Sequence, residues 1–333
     1  MAPTLAGALL VGLAAVGVWI APGGGDLERG VTAQGTSAGV LKPPSSDAPQ
    51  ASSAAAFPAA SAPRAAEVSG PGACDLLLHR MPTVSRTQCN EARLVPSGAR
   101  SVQGTPLFWR DVPPAMVRQD ATEAPLRVMV VGAIHGDELT AASLALRWIA
   151  LAEQAGRPVH WRFIPVLNPD GLLAKPATRV NASGVDLNRN FPTPGWAQDA
   201  PRYWEKRTRR DPRRWPGPAP LSEPESAFLH AQMAEFQPQL IVSIHAPYGV
   251  LDFDGPLAPP ARLGRLWLDQ VGIFPGSLGH YGGVHRGMPV VTIELPHALD
   301  MPQEAEIQSM WQDLLRWMGE HWPQVDPGPS SSR

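Results

Sequence analysis

Four ionisable side chains stand at the ends of short apolar runs. His135 and Glu138 follow LRVMVVG at 126–132, separated by Gly136 and Asp137. His245 ends LIVSIH at 240–245, and Glu294 ends VVTIE at 290–294. Runs of this length and β-branched content read as buried strands, and an open α/β sheet collects its ligands at the carboxyl edge of such strands. His135, Glu138 and His245 make a set of two imidazoles and one carboxylate. That set holds zinc in an open site and leaves the fourth position to water. No fourth protein ligand is evident, so a closed structural site is disfavoured. Taken singly, an HxxE element, a histidine at a strand end or a carboxylate at a sheet edge is an ordinary structural group. The weight lies in their coincidence.

A polar segment lies between these elements, LNPDGLLAKPATRVNASGVDLNRNFP at 167–192. Asn168-Pro169-Asp170-Gly171 is a turn signal after a strand, and Arg179, Asn188 and Arg189 follow it. By composition alone this is a long solvated loop. In VLDFDGP, Asp252 and Asp254 read equally as turn-stabilising groups or as contacts for a substrate amino group.

The elements that must position these residues are legible from periodicity. Strands are expected at 126–132, 159–167, 240–244 and 290–293, with a weakly alternating hairpin strand at 101–112. Helical spacing runs through Leu139, Ala142, Leu146 and Ile149, with Gly156 as C-cap. Ser222-Glu223-Pro224-Glu225 reads as a capping box before Phe228, Leu229, Met233 and Phe236. Ile307, Trp311, Leu314 and Met318 mark a closing amphipathic helix. Strands alternating with helices predict an α/β fold with a mixed, largely parallel central sheet flanked by helices.

The chain has 333 residues and a formal net charge of −2, with 44% hydrophobic and 17% charged residues. A sizeable core is therefore expected, and no overall basic field favours nucleic acid. Lys42, Lys175 and Lys206 are the only lysines among 28 Lys and Arg, a compositional bias with no functional content. No charged residue precedes Asp26, and 6–21 is an unbroken run of small and apolar residues. Residues 1–22 are read as a signal peptide or a membrane anchor, which predicts a periplasmic or other extracytoplasmic location. Residues 23–70 are read as a disordered linker: Ala, Pro and Ser fill 21 of the 30 positions from 41 to 70, too few large side chains to offset ordering. Residues 71–120 form an amino-terminal segment in which Cys74 and Cys89 are expected to pair, as two nearby cysteines do after export. Residues 121–325 are read as the catalytic domain and 326–333 as a disordered tail.

In order, HGDE, NPDG, the Arg179 region, GVDLNRNFP, SIH and TIELP resemble the zinc metallocarboxypeptidase family, over about residues 125–320. RVNASGVDLNRNFP, HAPYGVLDFDGP and VVTIELP are most similar to its murein peptide amidase A branch. The resemblance implies a carboxypeptidase-like fold and one Zn²⁺ per chain on His135, Glu138 and His245. It implies Glu294 as general base, Arg179 as stabiliser of the oxyanion, and Asn188 with Arg189 as the clamp for a substrate carboxylate. Amide hydrolysis calls for these parts: an activated water, positive charge where the carbonyl oxygen gains electrons, and a guanidinium fork for a carboxylate. Many family members close a tyrosine over the substrate. Among Tyr203, Tyr248 and Tyr281, order along the chain favours Tyr281, while Tyr248 is a second candidate for the pocket wall. Asp254 is assigned to the amino group of diaminopimelate.

The expected substrate is thus a peptide with a free carboxylate, murein-derived, cleaved at a γ-D-glutamyl–diaminopimelate bond. The alternatives are a carboxypeptidase on general peptide carboxyl termini, a deacylase resembling aspartoacylase or succinylglutamate desuccinylase, and a non-catalytic binding module for cell-wall peptides. NPDG and TIELP speak against the deacylases, and retention of all three ligands and Glu294 speaks against the binding module. The basic stretch 202–214 reads as a solvated loop or as a rim attracting acidic peptides, and not as a nucleic-acid surface.

Overall fold

Seven strands hydrogen-bond into one sheet whose inner four run parallel. The computed structural model describes residues 72–81, 83–114 and 124–325. The expected leader, linker and tail lie outside the described residues. Two short helices open the described chain, α1 (Ala73–Leu77) and α2 (Arg86–Glu91). An antiparallel hairpin follows, β1 (Val95–Arg100) and β2 (Pro106–Val112). Next come β3 (Leu126–Val131), α3 (Leu139–Ala155), β4 (Val159–Ile164) and the short α4 (Pro169–Leu173). Helices α5 (Trp196–Lys206) and α6 (Pro224–Phe236) precede β5 (Leu240–His245) and β6 (Val250–Asp254). A small ribbon of β7 (Arg262–Leu263) and β8 (Leu266–Trp267) leads to β9 (Val290–Glu294) and α7 (Glu304–His321).

The strand order is β1-β2-β4-β3-β5-β9-β6. Strands β4, β3, β5 and β9 are parallel, and β1, β2 and β6 are antiparallel to their neighbours. The expected α/β fold with a mixed, largely parallel sheet is what the chain forms. The inner strands are covered on both faces, which is why they read as continuous apolar runs. On one face, α3 and α7 pack over Val128, Val130, Val242, Ile244, Val291 and Ile293. Trp311 joins the layers there, with ring centroids 5.2 Å from Trp148 of α3 and 5.0 Å from Trp161 of β4. On the other face, Phe228, Leu229, Met233 and Phe236 of α6 cover Met129, Val131, Ile241 and Val290.

Local outcomes refine the sequence reading. The strand expected at 101–112 starts only at Pro106, because 101–105 is a turn fastened to Asp170. Its carboxylate accepts from Ser101 Oγ (2.6 Å), Thr105 Oγ1 (2.9 Å) and Gln103 N–H (2.9 Å). The strand expected to reach residue 167 ends at Ile164, where Pro165 has no N–H to continue the ladder. The NPDG turn is a short helix whose N-cap, Asn168, accepts from Gly171 N–H (2.9 Å). The capping box at 222–225 does not form. Glu223 is the N-cap of α6 without a side-chain cap, Ser222 Oγ donates to Glu223, and Glu225 instead accepts from Val102 N–H and Asn181.

Cys74 and Cys89 are disulfide-bonded and join α1 to α2. This segment rests on the main fold, with Arg80 Nε donating to Leu172 O (3.0 Å) and Thr83 Oγ1 bonded to Ser143 Oγ (2.9 Å). Through β1 and β2, the segment 95–112 shares the same sheet as the rest.

Candidate metal and substrate site

Parallel strands place their carboxyl ends together, and here β3, β5 and β9 deliver His135, His245 and Glu294 to one edge. His245 and Glu294 are direct partners in the β5–β9 ladder. His135 sits in the turn between β3 and α3, and Glu138 is the N-cap of α3. Glu138 makes no capping hydrogen bond, because its carboxylate turns toward the two histidines. The turn is tight against the α4 segment: a Cβ on Gly136 would overlap the Gly171–Leu172 backbone, so only glycine fits.

The convergence is close. His135 Nδ1 lies 2.7 Å from Glu138 Oε1, and His245 Nδ1 lies 3.0 Å from Glu138 Oε2. The two Nδ1 atoms are 3.2 Å apart. All three residues are buried, and their donor atoms fall within 4.8 Å of one another. Each histidine is held from behind through its other nitrogen. His135 Nε2 meets Asp186 Oδ1 at 3.1 Å, and His245 Nε2 meets Ser243 Oγ at 3.0 Å. Partners of this kind fix the ring orientation and tautomer of metal-bound imidazoles. The donor set, its burial and its backing all fit a zinc ion.

Asp186 is the residue that sequence reading passes over. It is fully buried, and besides His135 it accepts from Arg179 Nε (3.1 Å) and Nη2 (3.0 Å) and from Asn188 N–H (3.0 Å). Burial opposes its ionisation, but Arg179 and then His135 outweigh that and hold its carboxyl well below the usual range. Its only signal in the sequence is an acidic residue set between the apolar Val185 and Leu187. Arg179 also approaches Glu138, with Nη1 3.6 Å from Oε1.

Around this centre lies a cleft lined by, among others, Arg179, Asn188, Arg189, Arg214, Tyr248, Asp252, Asp254 and Glu294. Glu294 Oε2 is buried with no hydrogen-bond partner among the described residues, and burial pushes its carboxyl above the usual range. The Arg189 guanidinium lies 4.5 Å from the centre of the Phe274 ring, with Nη1 donating to Asn188 O (2.6 Å). Its Nε is buried and has no partner among the described residues. Asn188 Oδ1 accepts from Leu278 N–H (2.8 Å). Two lining residues of opposite charge on one cleft, each with an orphaned polar atom among the described residues, mark a site built for a ligand.

Asp254 sits at the end of β6 against Gly279, where a Cβ would collide with its carboxylate. Burial and the neighbouring Asp252 raise its carboxyl to about 6. The structure does not bring Tyr281 to the cleft. A π-helical turn at His280–His285 buries its ring beside Phe191 (6.0 Å) and His230 (5.4 Å). Tyr248, 59% exposed, lines the cleft instead.

The sequence profile described as zinc carboxypeptidase matches residues 90–251, a span that includes His135, Glu138, Arg179, Asn188, Arg189 and His245. Murein peptide amidase A of Escherichia coli is 32% identical over 254 residues, covering 71% of this chain and 96% of that protein. Murein peptide amidase A of Vibrio campbellii is 31% identical over 221 residues, covering 64% and 84%. Among solved structures, carboxypeptidase A of Helicoverpa armigera superposes with a TM-score of 0.53 at 18% identity, over 72% of this chain and 71% of that one, a likeness of fold.

Proposed function

Because the chain belongs to the zinc carboxypeptidase family of hydrolases, we propose that it is a zinc amidase of murein peptides, cleaving the bond between γ-D-glutamate and diaminopimelate. The observation that carries this reading is the division of charge in the cleft. Arg189 lines the cleft with a guanidinium whose buried Nε has no partner among the described residues, while Asp252 and Asp254 form an acidic corner of the same cleft. A leaving amino acid with a free carboxylate and a second, free amino group answers to both. Names borne by the relatives point to the same substrate class.

His135, Glu138 and His245 would hold one zinc ion, which when bound polarises the scissile carbonyl and lowers the pKa of water to near neutrality. Glu294 takes the proton of the attacking water on Oε2 and returns it to the leaving nitrogen. Its raised pKa suits both halves of that task. Arg179, fixed by two bonds to Asp186, supplies positive charge to the carbonyl oxygen without having to reorganise. Arg189 and Asn188 bind the carboxylate of the leaving residue, Asp254 its side-chain ammonium, and Tyr248 rather than Tyr281 is the tyrosine placed to meet substrate. The Cys74–Cys89 disulfide supports an extracytoplasmic location, where such bonds persist.

The deciding experiment offers L-Ala-γ-D-Glu-diaminopimelate, ordinary dipeptides and N-acyl amino acids side by side. Release of diaminopimelate from the first, with slow cleavage of the others, is expected. Preferential cleavage of ordinary carboxyl termini or of N-acyl amino acids overturns the reading.

Arg189→Ala removes charge-assisted hydrogen bonds worth about 2 kcal/mol, so KM rises by more than tenfold while kcat falls less. An unchanged KM in steady-state kinetics would remove Arg189 from the clamp. Asp254 loses its negative charge as pH falls through about 6. The preference for diaminopimelate over alanine as leaving group, measured as a ratio of kcat/KM, therefore declines between pH 7 and pH 5. A ratio that stays flat across that window dissociates Asp254 from the ammonium.

A further inference from the structure

The cleft holds more positive charge than a single substrate carboxylate requires. Arg179 is committed to Asp186 and Glu138, and the proposed function assigns Arg189 to the leaving residue. Arg214 is a third guanidinium on the same cleft. Its Nε faces Asp211 Oδ2 at 3.5 Å, and its side chain is 37% exposed. The pairing at Nε orients the guanidinium, and its terminal nitrogens have no hydrogen-bond partner among the described residues.

The loop that carries it is fastened at several points. Arg214 N–H donates to Asp211 O (3.0 Å), Trp204 Nε1 donates to the same carbonyl (2.8 Å), and Asp186 N–H donates to Trp215 O (2.8 Å). Arg213 Nη2 donates to Asp137 Oδ2 (2.8 Å), and Asp137 lies between the ligands His135 and Glu138. The basic end of the loop is thereby tied to the metal-binding turn, while the acidic corner of Asp252 and Asp254 belongs to β6 on the far edge of the sheet.

Chemistry supplies the missing anion. In a γ-linked glutamyl amide the scissile carbon is the side-chain carboxyl. The α-carboxylate therefore stays free on the acyl side, two methylenes and one methine from the reacting carbon. An α-linked peptide carries a carboxylate at that distance only where its acyl residue is itself glutamate. We propose that Arg214 is a specificity-determining residue that binds the free α-carboxylate of the γ-linked glutamyl residue, on the acyl side of the scissile bond. This rests on the murein amidase reading and extends it: Arg189 reads the leaving side, and Arg214 reads the acyl side.

The test compares γ-D-glutamyl-diaminopimelate with γ-D-isoglutaminyl-diaminopimelate, in which an amide replaces that one carboxylate at nearly constant shape. The wild-type protein is expected to favour the acid roughly ten- to hundredfold in kcat/KM, the range of one charge-assisted pair. Arg214→Gln should bring the ratio to within about threefold of unity, and Arg214→Lys should restore part of it. A ratio taken within one protein is insensitive to its folded fraction. A second readout is calorimetric binding of the two compounds to the Glu294→Gln protein, where Arg214→Gln should weaken the acid about tenfold more than the amide. An acid-to-amide ratio in Arg214→Gln equal to that of the wild type overturns the proposal, including the case in which both rates fall together because Arg214 serves the leaving side. A wild-type ratio near unity with both compounds cleaved overturns it and leaves the amidase reading standing. Cleavage of neither compound removes both.

Discussion

Glu294→Gln lowers kcat by about two to four orders of magnitude, the usual contribution of a positioned acid–base group, while zinc content stays at the level of the parent protein. The substitution keeps size and hydrogen-bonding shape but removes the ability to take a proton. It should spare the metal site, because Glu294 Oε2 has no partner among the described residues and none of the three ligand side chains leans on it. The thermal stability of the metal-free protein should not fall. The sign follows from the raised pKa: a carboxyl that titrates higher in the folded state than in the unfolded chain favours folding at low pH, and that advantage is lost as pH rises through its folded value. At neutral pH its ionised form is a burden on the folded state, and glutamine lifts it. Function is kept here at some cost in stability. Turnover within tenfold of the parent, with zinc retained, would remove Glu294 from the proton transfers.

Residues whose role is set by strand ends are the ones legible beforehand. His245 and Glu294 close apolar runs of five or six residues, and a parallel sheet has one way to bring such ends together. The same runs disclose the fold class, since strands buried on both faces carry no alternation. Strand β1 escapes notice because VPSGAR combines Pro, Gly and largely exposed side chains, the composition of an edge strand. Tyr281 is misplaced by reasoning from chain order, since order does not say which way a turn rotates a ring. The π-helical turn rotates it toward Phe191 and α6. Asp186 is invisible for another reason. Its partners His135 and Arg179 lie 51 and 7 residues away, and nothing periodic links them until the polar segment folds back over the β3–α3 turn.

Asp186→Asn should therefore act on three quantities at once. The carboxylate spends one oxygen on His135 Nε2 and Asn188 N–H and the other on Arg179. An amide has one acceptor oxygen, and its NH2 must face a donor at whichever end it occupies. Where that donor is Arg179, a largely buried guanidinium loses its counter-charge. Breaking such a pair costs about 3–5 kcal/mol, because the remaining charge is left uncompensated. Where the donor is His135, the imidazole loses the partner that fixes its tautomer, and zinc affinity falls by about 10–100-fold. Hydrolysis declines with both. The stability loss has its own pH signature. Asp186 titrates well below its unfolded value, so its stabilisation is fully present above the ordinary carboxylate range and disappears as pH falls toward the folded value. Parent and variant should thus differ at neutral pH in denaturant unfolding and converge at acid pH. Chelator competition gives the zinc affinity on the same samples. Equal zinc affinity and equal unfolding midpoints at neutral pH would mean that Asp186 neither backs His135 nor holds Arg179, and that the centre is organised by its ligands alone.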